Sequence, residues 1–182
     1  MARLIIPDWQ GSVADHWQRS WLDIDADSRV VEPCRAAGTP DLEEWLTRLE
    51  REIRRSPRVT LVAHGVGAIL VAHYAVRRSP ARIDGALLVA PTDVELVDGD
   101  DPRAAFAPMP LHRLPFAALL VASRNDPFLA FGRAQQLAAA WGAPLIDAGL
   151  AGHLDAESGH RRWGEGFRLL SALDTGDGAI AA

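Results

Sequence analysis

The chain has 182 residues, 48% of them hydrophobic and 24% charged, with a net charge of −5. That length suits one domain with a sizeable core and is short for two, and the charge is spread without a basic footprint for nucleic acid or an anionic membrane. A single cysteine, Cys34, excludes an internal disulfide and fits a reducing compartment.

Arg3-Leu-Ile-Ile6 reads as a short buried strand stopped by Pro7. Its apolar run is too short for a signal peptide, and no segment approaches the ~20 apolar residues that cross a bilayer. Cytoplasmic localisation is therefore the expectation. An amphipathic helix is expected over Val13 to Leu22, with Ser12 as N-cap and Asp15 in its first turn. Arg29 to Glu32 reads as a second strand. Thr39-Pro40-Asp41 opens a helix to about Arg54, with Thr39 as cap and Pro40 at the first helical position. Leu42, Trp45, Leu46, Leu49 and Ile53 form its apolar face.

The most informative stretch runs from Arg58 to His73. It begins as an apolar strand, turns at His64-Gly65-Val66-Gly67 and leaves as an apolar helix to about Arg78. Further strands are expected at Ile83–Ala90, Phe116–Ala122 and Pro144–Asp147, with helices at Leu129–Trp141 and Trp163–Leu173. Gly142 is a natural C-cap. Thr92 to Pro115 is one long loop, and 174–182 is a Gly/Ala-rich tail expected to be disordered. Residues 1–173 thus form one domain. Strands alternating with helices imply an α/β fold, a mostly parallel central sheet with helices on both faces.

In such sheets ligands bind at the carboxyl ends of the strands. The turn at Gly65, Ser123–Pro127 and Gly149–His153 all follow strands at that edge. Strand, tight turn and helix match the nucleophile elbow of α/β-hydrolases, whose pattern is G-x-S-x-G. Here Ala63 stands where the first glycine would be, and Gly65 occupies the nucleophile position. Asp126 and His153 follow in the chain order of acid and then base. Taken singly, Asp126 before Pro127 reads as a cap and His153 as a loop residue; together behind an elbow they read as a catalytic pair. The oxyanion donors would be the N–H of Val66 and one from the first loop, Asp8 or Trp9, because Pro7 has none to give. His16 and Trp17 would sit at the pocket, with His64 packed beneath the elbow. No metal-ligand spacing and no nucleotide-binding glycine pattern is present, so no metal or cofactor is expected.

The chain also resembles the small single-domain serine hydrolases of the retinoblastoma-binding protein 9 type. The resemblance is carried by Ile6-Pro7, Gly11-Ser12 and His16-Trp17-Gln18, then by Leu61-Val-Ala-His64 with Gly67. Val121-Ala-Ser-Arg-Asn-Asp-Pro127, Ala140-Trp-Gly-Ala143 and Gly152-His-Leu-Asp-Ala-Glu-Ser-Gly159 with Trp163 complete it. It implies a minimal α/β-hydrolase without a lid domain and without a cofactor. It also implies Ser–Asp–His hydrolysis of ester, thioester or amide bonds, with Asp126 as acid, His153 as base and the serine missing at Gly65. Three uses of such a chain are open: a hydrolase whose serine has been replaced to silence it, a binder of a small acyl ester, amide or peptide, or an enzyme in which His153 activates water. A purely structural or interaction domain would leave the Asp126 and His153 placement accidental.

Overall fold

A computed structural model describes residues 2–36 and 39–175. Six parallel strands form the central sheet in the order β2-β1-β5-β6-β7-β8. They are β1 (Ala2–Ile6), β2 (Ser28–Val30), β5 (Val59–His64), β6 (Ile83–Val89), β7 (Ala117–Ala122) and β8 (Leu145–Asp147). Between them, β3 (Arg35–Ala36) and β4 (Thr39–Pro40) make a small antiparallel pair.

Side chains on each strand alternate between two separate cores, as a period of two requires. Leu4 and Ile6 of β1, Leu61 and Ala63 of β5, Leu88 of β6 and Leu120 of β7 face one way. There they meet α2 (Leu42–Arg54), α3 (Val66–Arg77) and α4 (Phe131–Trp141). Ile5, Val62, Leu87 and Val121 face the other way, toward Trp17 and Trp21 of α1 (Trp17–Ile24) and Leu170 of α5 (Gly164–Thr175). Because both faces are covered, the strands are continuous apolar runs. The architecture is the α/β arrangement expected from the alternation of elements.

Several boundaries differ from the sequence reading, each for a local reason. Helix α1 starts later, at Trp17, and its cap is His16, whose Nδ1 accepts from the N–H of Gln18 at 3.2 Å. Ser12 instead donates its hydroxyl to Gln18 Oε1 at 2.8 Å. Helix α2 is capped by Asp41, which accepts from the N–H of Glu44 at 2.9 Å, while Thr39 and Pro40 pair with β3. Within the long loop, Pro102–Phe106 forms a 3₁₀ turn capped by Asp101.

Helix α5 continues through Asp174 and Thr175, two positions assigned from sequence to the tail; 176–182 lie outside the described residues. Asp174 is held by burial and bonding. Its carboxylate accepts from Arg3 Nε and Nη2 at 3.2 and 2.8 Å and from Thr60 Oγ1 at 2.7 Å. These bonds tie α5 to the starts of β1 and β5, at the opposite edge of the sheet from the loops that follow the strands.

Candidate functional site

The carboxyl ends of β1, β5 and β7 bring the sequence-marked residues together. At the end of β5, Gly65 has φ 58° and ψ −128°, a conformation that costs an L-residue strain and a glycine little. Helix α3 begins at once with Val66, so the turn aims the first N–H groups of a 12-residue helix outward. Gly67 is required by proximity: a Cβ there would lie 2.3 Å from Pro7 O and 2.7 Å from Ile6 O. The elbow backbone therefore packs directly on the loop after β1.

Asp126 and His153 meet at the neighbouring strand ends. His153 Nδ1 lies 3.0 Å from both Asp126 oxygens, and their side chains are 8% and 0% exposed. A carboxylate accepts, so Nδ1 carries a proton; in the neutral ring that leaves the lone pair on Nε2. Asp126 does not cap a helix, since the N-cap of α4 is Ala130; its Oδ1 instead accepts from the N–H of Phe128 at 2.9 Å, closing a local turn. Phe128 sets its ring edge-on to His153 with centroids 4.7 Å apart.

The loop carrying His153 is anchored from several sides. Trp17 Nε1 donates to Leu154 O at 2.8 Å. Asn125 Oδ1 accepts from the N–H of Gly152 at 2.8 Å, and Ser123 Oγ accepts from the N–H of Ala151 at 2.9 Å. Ser123 is thus a buried loop tie. His64 Nε2 donates to His153 O at 2.8 Å, which leaves its buried Nδ1 without a hydrogen bond.

A cavity of about 140 Å³ opens beside His153, lined among others by Asp8, Ser12, His16, His64 and Asp155. Burial pushes His16 down to about 3, helped by the neighbouring His64, and pushes His64 down to about 4, helped by His153. Both rings are neutral at pH 7. Burial works against the charge of Asp155, but hydrogen bonds from the Ser158 hydroxyl and N–H outweigh it and hold its carboxyl below the usual range. Trp17, expected at the pocket, is fully buried behind it and does not line the cavity. On the far side of Asp126 lies a wider depression of about 550 Å³, bordered by Thr92, Leu96, Arg103 and Phe128.

The feature not anticipated is the side chain of Asp8. The sequence reading placed Asp8 or Trp9 on the first loop as a backbone donor. In the structure Asp8 Oδ1 accepts from the N–H of Val66 at 2.8 Å, so the elbow donor is already engaged by a carboxylate. Trp9 packs against the larger core. The signal in the sequence is an acid two residues after the first strand, Asp8, in a chain with glycine at the elbow. Sequence alone, however, does not say that β1 and β5 are neighbours. No group of three or more His, Cys, Asp or Glu able to hold a metal stands together among the described residues.

Comparison with known proteins bears on the family and the fold. A family model described as Serine hydrolase matches residues 3–172. A YdeN-like hydrolase of Pectobacterium atrosepticum superposes with a TM-score of 0.83 at 30% identity, over 96% of this chain and 90% of that one. The ydeN gene product of B. subtilis superposes with a TM-score of 0.71 at 19% identity, over 96% and 100%. An esterase of Thermogutta terrifontis gives 0.69 at 14% identity, over 100% and 85%, a likeness of fold. No curated protein matches.

Proposed function

Because the chain belongs to the serine hydrolase family, we propose that it is a ligand-binding protein of esterase lineage in which the acyl-enzyme route is closed. The supporting observation is the elbow itself: strand, strained turn and helix are intact, and Gly65 offers no hydroxyl to attack a carboxylic ester, thioester or amide. Asp126 and His153 are the acid and base of that lineage, and within the family the blocks around Asp126 and His153 favour the small retinoblastoma-binding protein 9-type branch. The cavity takes a small acyl ester- or amide-like molecule or a peptide end, with His16 at its wall. Neither Ser12 nor Ser123 is free to substitute. Ser12 is bonded to Gln18 and Ser123 to the Gly149–Ala151 loop. Buried Cys34 accords with a cytoplasmic setting.

A second reading has an observation of its own. With Nδ1 donating to Asp126, Nε2 of His153 makes no hydrogen bond among the described residues, so it could take a proton from water. Hydrolysis of p-nitrophenyl butyrate by the wild-type protein and by His153→Ala separates the two. Equal, background-level rates and no covalent adduct with a fluorophosphonate support the binder. Wild-type turnover lost in His153→Ala supports water activation, and a stoichiometric adduct on Ser12 or Ser123 refutes both.

A further inference from the structure

The loop after β1 and the elbow compete for one space. A Cβ at position 65 would lie 2.5 Å from Asp8 Oδ1, 2.8 Å from Asp8 Cγ and 3.1 Å from Asp8 Cβ. Real side chains essentially never come so close, so Gly65 and the present placement of Asp8 are a matched pair. The carboxylate is there for a physical reason: it accepts a charge-assisted bond from Val66 N–H at the positive end of α3. Its other oxygen has no hydrogen bond among the described residues, so the elbow is its main anchor.

We propose that Asp8 determines how this site can bind: its carboxylate is a built-in occupant of the elbow's donor position and keeps the carbonyl or carboxylate of an acyl, amide or peptide ligand off the Val66 N–H, so such a ligand must lie elsewhere in the cavity. The inference rests on the cavity being the hydrolase site of the lineage, and it deepens that reading by adding a second lock. The missing hydroxyl removes the attack; Asp8 removes the donor that would stabilise what the attack forms. In acyl transfer, one such donor contributes about 10²–10³-fold in rate. Here it faces negative charge at the place where negative charge would develop. The nearby imidazoles do not offset it, since burial keeps His16 and His64 neutral at pH 7. No lysine or arginine lines this cavity; the cation that feels Asp8 is Arg103 at the neighbouring depression, and its guanidinium is already paired with Asp101.

It follows that restoring the serine alone fails to restore an esterase. The test compares wild type, Gly65→Ser, and Gly65→Ser combined with Asp8→Ala or Asp8→Gly, on p-nitrophenyl butyrate. The expected order is Asp8→Gly double first, Asp8→Ala double next, since its Cβ keeps the 3.1 Å contact, and Gly65→Ser last. The Asp8→Gly double variant should exceed Gly65→Ser by about 10²–10³-fold. A Gly65→Ser variant that hydrolyses the ester above background and as fast as the double variants overturns the proposal.

A second measurement avoids the strained serine. Butyrate is titrated into wild type and Asp8→Gly while the Val66 amide is followed by NMR. The proposal expects a saturable shift in Asp8→Gly and none in wild type; a shift in wild type, or none in either, overturns it. Silent double variants together with butyrate binding by Asp8→Gly would uphold Asp8 as the occupant and refute Asp126 and His153 as a working pair.

Discussion

The two sides of the cavity are equipped differently. On the β7 side, His153 is held by both oxygens of a buried carboxylate, and its loop is tied down by Trp17, Asn125 and Ser123. On the β5 side the backbone elbow is equally ordered, but Gly65 carries no side chain and Asp8 is seated on the Val66 N–H. The His153 ring and the Val66 N–H are thus positioned by separate structural elements, because a ring is fixed by side-chain partners and a donor by main-chain geometry.

The strongest way to break this contrast is to ask whether the β7 side works once the β5 side is repaired. In the Gly65→Ser/Asp8→Gly background, His153→Ala should lower the hydrolysis of p-nitrophenyl butyrate by about 10³-fold or more, the scale of losing one triad member. A loss of less than tenfold would mean that His153 is poised for something else. Next in size is the elbow's packing. Gly67→Ala drives a Cβ onto the carbonyls of Ile6 and Pro7 and should cost about 3 kcal/mol, a fall in Tm of roughly 6–12 °C. An unchanged Tm would show that the elbow is looser than the contacts imply.

Acid should reveal the neutral histidines between the two sides. Their folded-state values, about 3 for His16 and about 4 for His64, lie below the ordinary 6.5. The unfolded chain therefore binds more protons as pH falls. The stability they provide is complete above pH 6.5 and is lost as pH drops through 6.5 toward their folded values, by about 1.4 kcal/mol per pH unit for each proton. Urea unfolding from pH 7 to 4.5 should show this slope, and His64→Gln should flatten it by one proton. The smallest expected effect is on the β7 side. Asp126→Asn keeps the acceptor for Phe128 N–H but weakens the hold on His153, for a stability cost of about 1–2 kcal/mol. Ring nitrogen NMR of His153 should show mixed tautomers in the variant and Nδ1–H in the wild type.

How much of this was readable beforehand depended on how local the signal was. The strands at Leu4–Ile6, Leu61–Ala63 and Leu119–Val121 are apolar runs that burial on both faces demands, and the turn at Gly65 is a contiguous motif. The Asp126–His153 meeting was legible through chain order at successive strand ends. Caps were less so: Thr39 and Asp41 are both good capping residues, and the choice fell to Asp41 because Thr39 was drawn into pairing with Ala36. His16 as the cap of α1 depends on a turn at Val13, whose carbonyl accepts from His16 N–H at 3.0 Å. The place of Asp8 was not legible at all. It requires β1 and β5 to be neighbours in register, Ile6 beside Ala63, a pairing across more than fifty residues of intervening chain.

The clasp between Arg3 and Asp174 has a practical corollary. It gathers both ends of the described chain at the foot of the sheet, while the cavity opens at the top. A tether joined to the protein beside Arg3 or Asp174 would therefore start on the side of the sheet away from the mouth of the cavity.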